Sequence, residues 1–374
     1  DYKVTGVQTC ALPIYSVGIF NPLEAKLITM PDNSFGFTID LKNNNLDAYG
    51  KNIQVFENLM MDSTGLYSEG NIKYNSTTLF SEKFRFFPDS ISGYVEKGFM
   101  SVETSKKQNF IYPELELSNL QLTYLKDDNK VLLLFDSLKR SEIINKKNNY
   151  KIFGDLTISS TEVSSEGKIK IGDSYFFSDR FVFEESLIAS DYADAFLKEK
   201  SQNNDLVNAE GVKLKYKINE KELNLKTTLF GQNNFMFPRF QLFSSFAEIN
   251  WNIQQKSISV TSEDNSEKTI YSLSPEFNSW SFDASMGLID VKENLFLIKG
   301  VEEIVVADAY IIPYNKELSI RENLKIDPLL KSSLVLDTLE ENHKFVDSDI
   351  LILTKDKFEG KGRSEEHTSE LQSP

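Results

Sequence analysis

One stretch of the chain occurs twice. Residues 68–86, SEGNIKYNSTTLFSEKFRF, return at 165–183 as SEGKIKIGDSYFFSDRFVF, at an offset of 97 with no gap. Nine of the nineteen positions are identical: Ser68, Glu69, Gly70, Ile72, Lys73, Phe80, Ser81, Phe84 and Phe86, each with its partner 97 residues later. Glu82/Asp179 and Lys83/Arg180 keep their charge. A repeat of this length means one supersecondary unit used at least twice, each copy burying a face against its neighbour.

Within the repeat the apolar residues alternate, and Asn75-Ser76 or Gly172-Asp173 break the run. Period 2 is the signature of a half-buried strand. The same grammar of alternating strand, polar turn and alternating strand recurs at 35–50, 120–135, 212–227, 247–260, 284–298 and 307–320. In the third of these, Leu214, Tyr216 and Ile218 share one face while Lys213, Lys215 and Lys217 share the other. The turns carry Asn, Asp, Gln and Lys, which suit tight polar reversals. Gly70 and Gly167 supply a bend that a side chain would obstruct. Two stretches have some helical character, 191–200 and 329–341. The first reads as extended because its counterpart 97 residues upstream carries a glycine and two β-branched residues. The expected fold is therefore all-β with little helix. It is an elongated repeat of antiparallel hairpins, of the β-solenoid, open jelly-roll or folded, taco-like kind.

The ends of the chain have a different origin. Residues 4–14, VTGVQTCALPI, and 363–373, RSEEHTSELQS, can be encoded by DNA strands that are reverse complements of each other. This looks like a short-read sequencing adapter translated at both ends, so residues 1–14 and 363–374 are set aside as tails. The remainder divides into a first repeat unit at 15–146 and a second at 147–362, which includes the later hairpin ladder. The one cysteine, Cys10, and one of the two histidines, His367, fall in the tails. His343 remains.

Composition narrows the function classes. A net charge of −15 argues against nucleic acid, whose phosphates need a basic surface. Hydrophobic residues make up 40% of the chain, including 28 Phe, enough for a core. No apolar run approaches the length of a membrane-spanning helix. Without cysteine in the body of the chain there are no disulfides and no thiolate metal sites. A triad could be built only on His343, and no G-x-S-x-G elbow accompanies it. The acid pairs Glu184-Glu185 and Glu302-Glu303 read as solvated, and Asp127-Asp128-Asn129 and 263–266 read as polar turns that lack a full calcium ligand set. The expectation is no catalytic residue, no metal and no cofactor. The aromatic pairs spaced by two are the most distinctive residues: Phe35/Phe37, Phe84/Phe86, Phe181/Phe183 and Phe235/Phe237. In a closed fold they are core. In an open one, Phe84, Phe86, Phe181, Phe183, Phe235 and Phe237 would line an apolar groove able to hold acyl chains. Trp251 and Trp280 are the positions where a glycan-binding platform would show.

The segment from about Phe235 onward, with FPRFQLFSSFAEINWNIQQKSISV at 237–260 and GVEEIVVADAYIIPYNKELSI at 300–320, followed by FEGKG at 358–362, resembles very large exported repeat proteins of Bacteroidota. More distantly, the hairpin spacing is similar to the open β-folds of lipopolysaccharide-transport bridges. The resemblance implies an exported, elongated β-repeat protein of the cell envelope, with neighbouring repeats of the same chain as its first partners and lipid or glycan as further ones. It supplies no catalytic residues. Three functions are expected in order: a non-enzymatic structural scaffold, a lipid-transfer conduit, and a carbohydrate-binding or carbohydrate-active surface protein. At least one exposed sheet edge is expected, with Gly18–Phe20 and the segment 350–353, ILIL, as the candidates.

Overall fold

The computed structural model of the protein describes residues 27–29, 36–41, 45–62, 64–105, 110–199, 204–228, 235–262, 268–336 and 343–365. The first tail, residues 18–20, the second tail beyond residue 365, residue 35 and the polar run at 263–266 lie outside these residues. Nearly all the rest is antiparallel strand. The only helical turns among the described residues are four of the 3-10 type: Ser137–Lys139, Pro238–Phe240, Pro275–Phe277 and Glu322–Leu324. The stretch from 191 is strand, as is 329–336.

The chain divides into two compact units, Asp1–Gly172 with Phe177–Ser190, and Asp173–Phe176 with Asp191–Pro374. The first holds β1 (Leu27–Thr29), β2 (Gly36–Asp40), β3 (Leu46–Ala48), β4 (Ile53–Val55), β5 (Asn58–Asp62), β6 (Gly65–Tyr74), β7 (Thr77–Phe86), β8 (Ser90–Met100), β9 (Leu115–Leu125), β10 (Lys130–Leu134), β11 (Glu142–Asn145), β12 (Tyr150–Ile158) and β13 (Val163–Ile171). β14 (Ser174–Phe183) and β15 (Leu187–Leu197) contribute residues to both units.

The first unit is a sheet folded along a crease. The strands that cross the crease are nine to eleven residues long, and the two ends of each pair with different partners. β9 pairs through 121–125 with β10 and through 116–118 with β11. β12 does the same, meeting β11 at 150–152 and β10 at 156–158. β10 and β11 are thus two halves of one broken rung, interrupted by the 3-10 turn at Ser137–Lys139. β4 and β5 form another, both pairing with β6. The crease produces two arms whose inner faces meet. Tyr49 and Tyr74 of one arm lie 5.3 and 5.8 Å from Tyr124 of the other, measured between ring centroids. The inner row is filled by residues such as Ile72, Leu79, Phe84, Val95, Leu120, Leu133 and Leu156, none of which reaches solvent.

The second unit repeats the plan with shorter pieces. Its strands are β16 (Val207–Lys217), β17 (Glu222–Lys226), β18 (Phe235–Phe237), β19 (Leu242–Ser244), β20 (Glu248–Asn252), β21 (Ser257–Thr261), β22 (Lys268–Ser272), β23 (Ser281–Ala284), β24 (Met286–Asp290), β25 (Leu295–Lys299), β26 (Ile304–Val306), β27 (Ala309–Ile312), β28 (Glu317–Arg321), β29 (Lys325–Ile326), β30 (Leu329–Leu336), β31 (His343–Thr354) and β32 (Lys357–Glu365). One arm runs β16·β17·β20·β21·β24·β25·β28·β29 and the other begins β16·β18·β19·β22·β23. β26, β27, β30, β31 and β32 form a five-stranded sheet in that order. The arms again face each other, with Phe237 of one 4.9 Å from Phe296 of the other.

Two expected hairpins are corrected. The stretches at 35–50 and 307–320 each read as a hairpin. In the structure β2 pairs with β1 and β5, and β3 pairs with β4. β27 pairs with β26 and β30, whereas β28 pairs with β25 and β29. The NK pair at 315–316 that looked like a hairpin tip belongs to a crease crossing, where Pro313 has no N–H to give a ladder. ILIL is also corrected. It lies in β31, which is paired on one side with β30 and on the other with β32, and Ile350 and Ile352 are buried. β32 continues through Glu365, three residues into the expected tail, with Arg363 opposite Val346. Pairing uses the backbone, so it does not require side chains selected for the site.

Candidate functional site

The repeated stretch takes the same shape twice. In the first copy β6 and β7 are joined by Asn75-Ser76, and in the second β13 and β14 are joined by Gly172-Asp173. Gly70 and Gly167 have φ of +115° and +125°, in the region that favours glycine. At Gly70 the ladder with β7 slips register, a β-bulge that turns the strand across the crease. Where a strand bends, backbone donors leave the ladder and need other acceptors. Side chains supply them. The Ser81 hydroxyl accepts from the Lys83 N–H at 3.1 Å, and its counterpart Ser178 accepts from Arg180 at 3.0 Å. Carboxylates do the same elsewhere on the crease: Glu96 for the N–H of Glu82, Asp155 for Phe135 and Asp194 for Gly211.

The register shows that the repeat is longer than the sequence match. β7 and β8 map onto β14 and β15 at an offset of 97, boundary for boundary. β9 and β10 then map onto β16 and β17 at an offset of 92: Lys130 faces Leu125 as Glu222 faces Lys217. Ile144 faces Glu116 as Met236 faces Asn208, and Ile143 faces Ile152 as Phe235 faces Ser244. The connection at 198–206 is five residues shorter than its counterpart at 101–114, which accounts for the change of offset. Left-handed backbone positions map too: Asn119 on Gly211, Asn129 on Lys221 and Asn149 on Gln241. A shorter period follows in the second unit. The β20–β21 hairpin recurs as β24–β25 at an offset of 38, with Glu248 facing Thr261 as Met286 faces Lys299.

All six groove candidates are inside. Phe84, Phe181, Phe183, Phe235 and Phe237 are 0% exposed and Phe86 is 1% exposed. Phe183 stacks on Tyr150 at 6.5 Å, and Phe84 packs where Gly93 leaves room for its ring. Their alternates on the outer face, Phe80 and Phe177, are 37% and 40% exposed.

The mouth of each folded unit, opposite its crease, is latched. In the first unit the Tyr49 hydroxyl bridges to the carbonyls of Phe87 and Ser90, at 2.6 and 2.7 Å. The Tyr74 hydroxyl bonds the Asn129 carbonyl, and Tyr112 donates to the Ser159 carbonyl at 2.8 Å. Each bond joins the tips of opposite arms. Burial pushes the Tyr112 phenol up to about 12, so the latch stays protonated through the physiological range. In the second unit Arg239 has this role. It is fully buried, with Nη1 3.4 Å from Asn294 Oδ1 and Nη2 3.4 Å from the Asn204 carbonyl. Burial lowers the pKa of this guanidinium, while Glu199, Glu322 and Asp205 oppose the shift. Gln241 Nε2 adds a bond to Asn323 beside it. The sequence reading did not single out Arg239 or the latch tyrosines. A lone charged residue behind an FP-led strand was the only available hint.

The chemical candidates are dispersed. His343 is exposed at the start of β31. Glu302 pairs with Lys316 at 2.6 Å, Asp128 pairs with Lys130 at 2.7 Å, and Glu184 and Glu185 are solvated. Among the described residues no three His, Cys, Asp or Glu side chains are grouped so as to hold a metal ion. Trp251 and Trp280 are buried, and Trp280 donates its Nε1–H to the Val305 carbonyl at 3.0 Å, so neither forms a surface platform. A concavity of about 580 Å3 lies on the outer face of β16, β17, β20 and β21, where Lys215, Asn224, Asn250 and Ser259 stand in one row. Asn224 and Asn250 bond each other and Glu248. This is the polar outer side of the sheet. No family model matches the chain, and no curated protein is similar to it in sequence.

Proposed function

We propose that the chain is a section of a non-enzymatic structural scaffold of a bacterial cell envelope, exported and built from folded β-units. The observation that carries this reading is the combination of a filled interior with a latched mouth. The six phenylalanines pack against other side chains, and Tyr49, Tyr74, Tyr112 and Arg239 tie the arm tips together. Such a unit resists deformation and leaves no open apolar groove, which suits a spacer. The conduit reading needs the arms to part along the same row of phenylalanines. Photo-cross-linking from position 181 in the presence of phospholipid vesicles separates the two. The scaffold predicts cross-links only within the chain, and stoichiometric lipid adducts would replace it with the conduit.

A further inference from the structure

The mouth of the first unit holds a cavity of about 250 Å3 between the tips of opposite arms. Three observations set it apart from an ordinary solvated edge. First, Lys51 and Lys73 both line it, and neither side chain has an ion pair or hydrogen bond among the described residues, in a chain whose net charge is −15. Second, Ser76 lines it while being only 3% exposed, and its hydroxyl has no hydrogen-bond partner. Buried hydroxyls are normally satisfied, so an unpaired one in the wall of a polar cavity is unusual. Third, the chemistry is particular to this copy. At the equivalent positions of the second copy Asn75 becomes Gly172, Ser76 becomes Asp173 and Asn129 becomes Lys221, although Lys73 is kept as Lys170. The repeat fold therefore does not require these residues.

We infer that this cavity binds a small hydroxylated organic anion of the acidic-monosaccharide class. The two ammonium groups select a carboxylate by charge-assisted hydrogen bonds. The amides of Asn52, Asn75 and Asn129, able to donate and accept, match ring hydroxyls, and the Ser105 hydroxyl, which donates to the Ser160 carbonyl at 2.6 Å, still offers an acceptor. Glu103 accepts from a sugar hydroxyl and disfavours a compact dianion such as phosphate. The volume is below the ~300–1,000 Å3 of sites for drug-sized ligands, which limits the occupant to about one ring. This site is independent of the scaffold reading, because it rests on the cavity and its lining alone.

Isothermal titration of the whole chain with glucuronate, with inorganic phosphate and with glucose tests it. Glucuronate binds, glucose does not, and phosphate binds more weakly. Lys51→Met with Lys73→Met weakens glucuronate at least about tenfold, the value of one charge-assisted bond, and leaves the thermal midpoint unchanged because neither lysine is in the core. If the double variant unfolds, Lys51→Met alone, at an exposed hairpin tip, carries the same test. The inference is overturned if no ligand binds at millimolar concentration, if phosphate or glucose binds as well as glucuronate, or if the lysine variants keep full affinity.

Discussion

Four hairpin tips place one residue in the left-handed region just before the second strand: Asn129 at φ 47°, Lys221 at 53°, Lys256 at 56° and Asn294 at 52°. Asparagine tolerates that backbone, whereas lysine enters it at a cost of roughly 1–2 kcal/mol. Both types occupy the same geometric position, so the hairpin imposes the conformation whether or not the residue prefers it. Lys256 is compensated by an ion pair with Glu199 at 2.5 Å, but Lys221 has no such bond among the described residues. Lys221→Asn should therefore stabilise the chain by about 0.5–1 kcal/mol. Urea denaturation should show a higher midpoint with an unchanged slope. A lower midpoint would mean that Lys221 makes a contribution the hairpin geometry does not reveal.

Strands and most of their tips were legible at the scale of the element because period 2 and polar turns are local signals. Lys213, Lys215 and Lys217 do face out while Leu214 and Tyr216 face in. The crease was not legible. It is made by bulges and by side chains that cap freed N–H groups, and an acid or serine in a strand looks like any other outward polar residue. The NK pair at 315–316 was misread for the same reason: a crease crossing and a hairpin tip use the same residue types. Asp194 is a direct test of the capping account, since its Oδ1 accepts the N–H of buried Gly211 at 2.8 Å. Asp194→Ala leaves that donor unpaired and should cost about 1–3 kcal/mol. Asp194→Asn keeps an acceptor and should recover most of the loss. Equal effects of the two substitutions in chemical denaturation would show that the charge, and not the cap, matters.

The molecule as a whole is more repetitive than its sequence. The nineteen-residue match covers two strands per copy, yet matching strand boundaries continue through β8 and β15, and matching registers run from β9 to β12 in one copy and from β16 to β20 in the next. Inward positions carry the resemblance in the second half, as in Leu122/Leu214, Tyr124/Tyr216 and Leu133/Leu225. Outward positions are free to drift, and the five-residue change in one connection breaks any search at a single offset. The burial of the phenylalanines followed from the alternation. The latches did not, because Tyr49, Tyr74, Tyr112 and Arg239 act between segments far apart in sequence. Engineered disulfides test the shared register most directly. In a Cys10→Ser background, Glu116→Cys with Ile144→Cys and Asn208→Cys with Met236→Cys place cysteines at register partners 92 residues apart in the two copies. Cross-strand partners have Cα separations within the range a disulfide accepts. Both pairs should oxidise readily, and pairs shifted by one residue should not. A shifted pair that closes in either copy, or a matched pair that stays reduced, would contradict the repeated ladder.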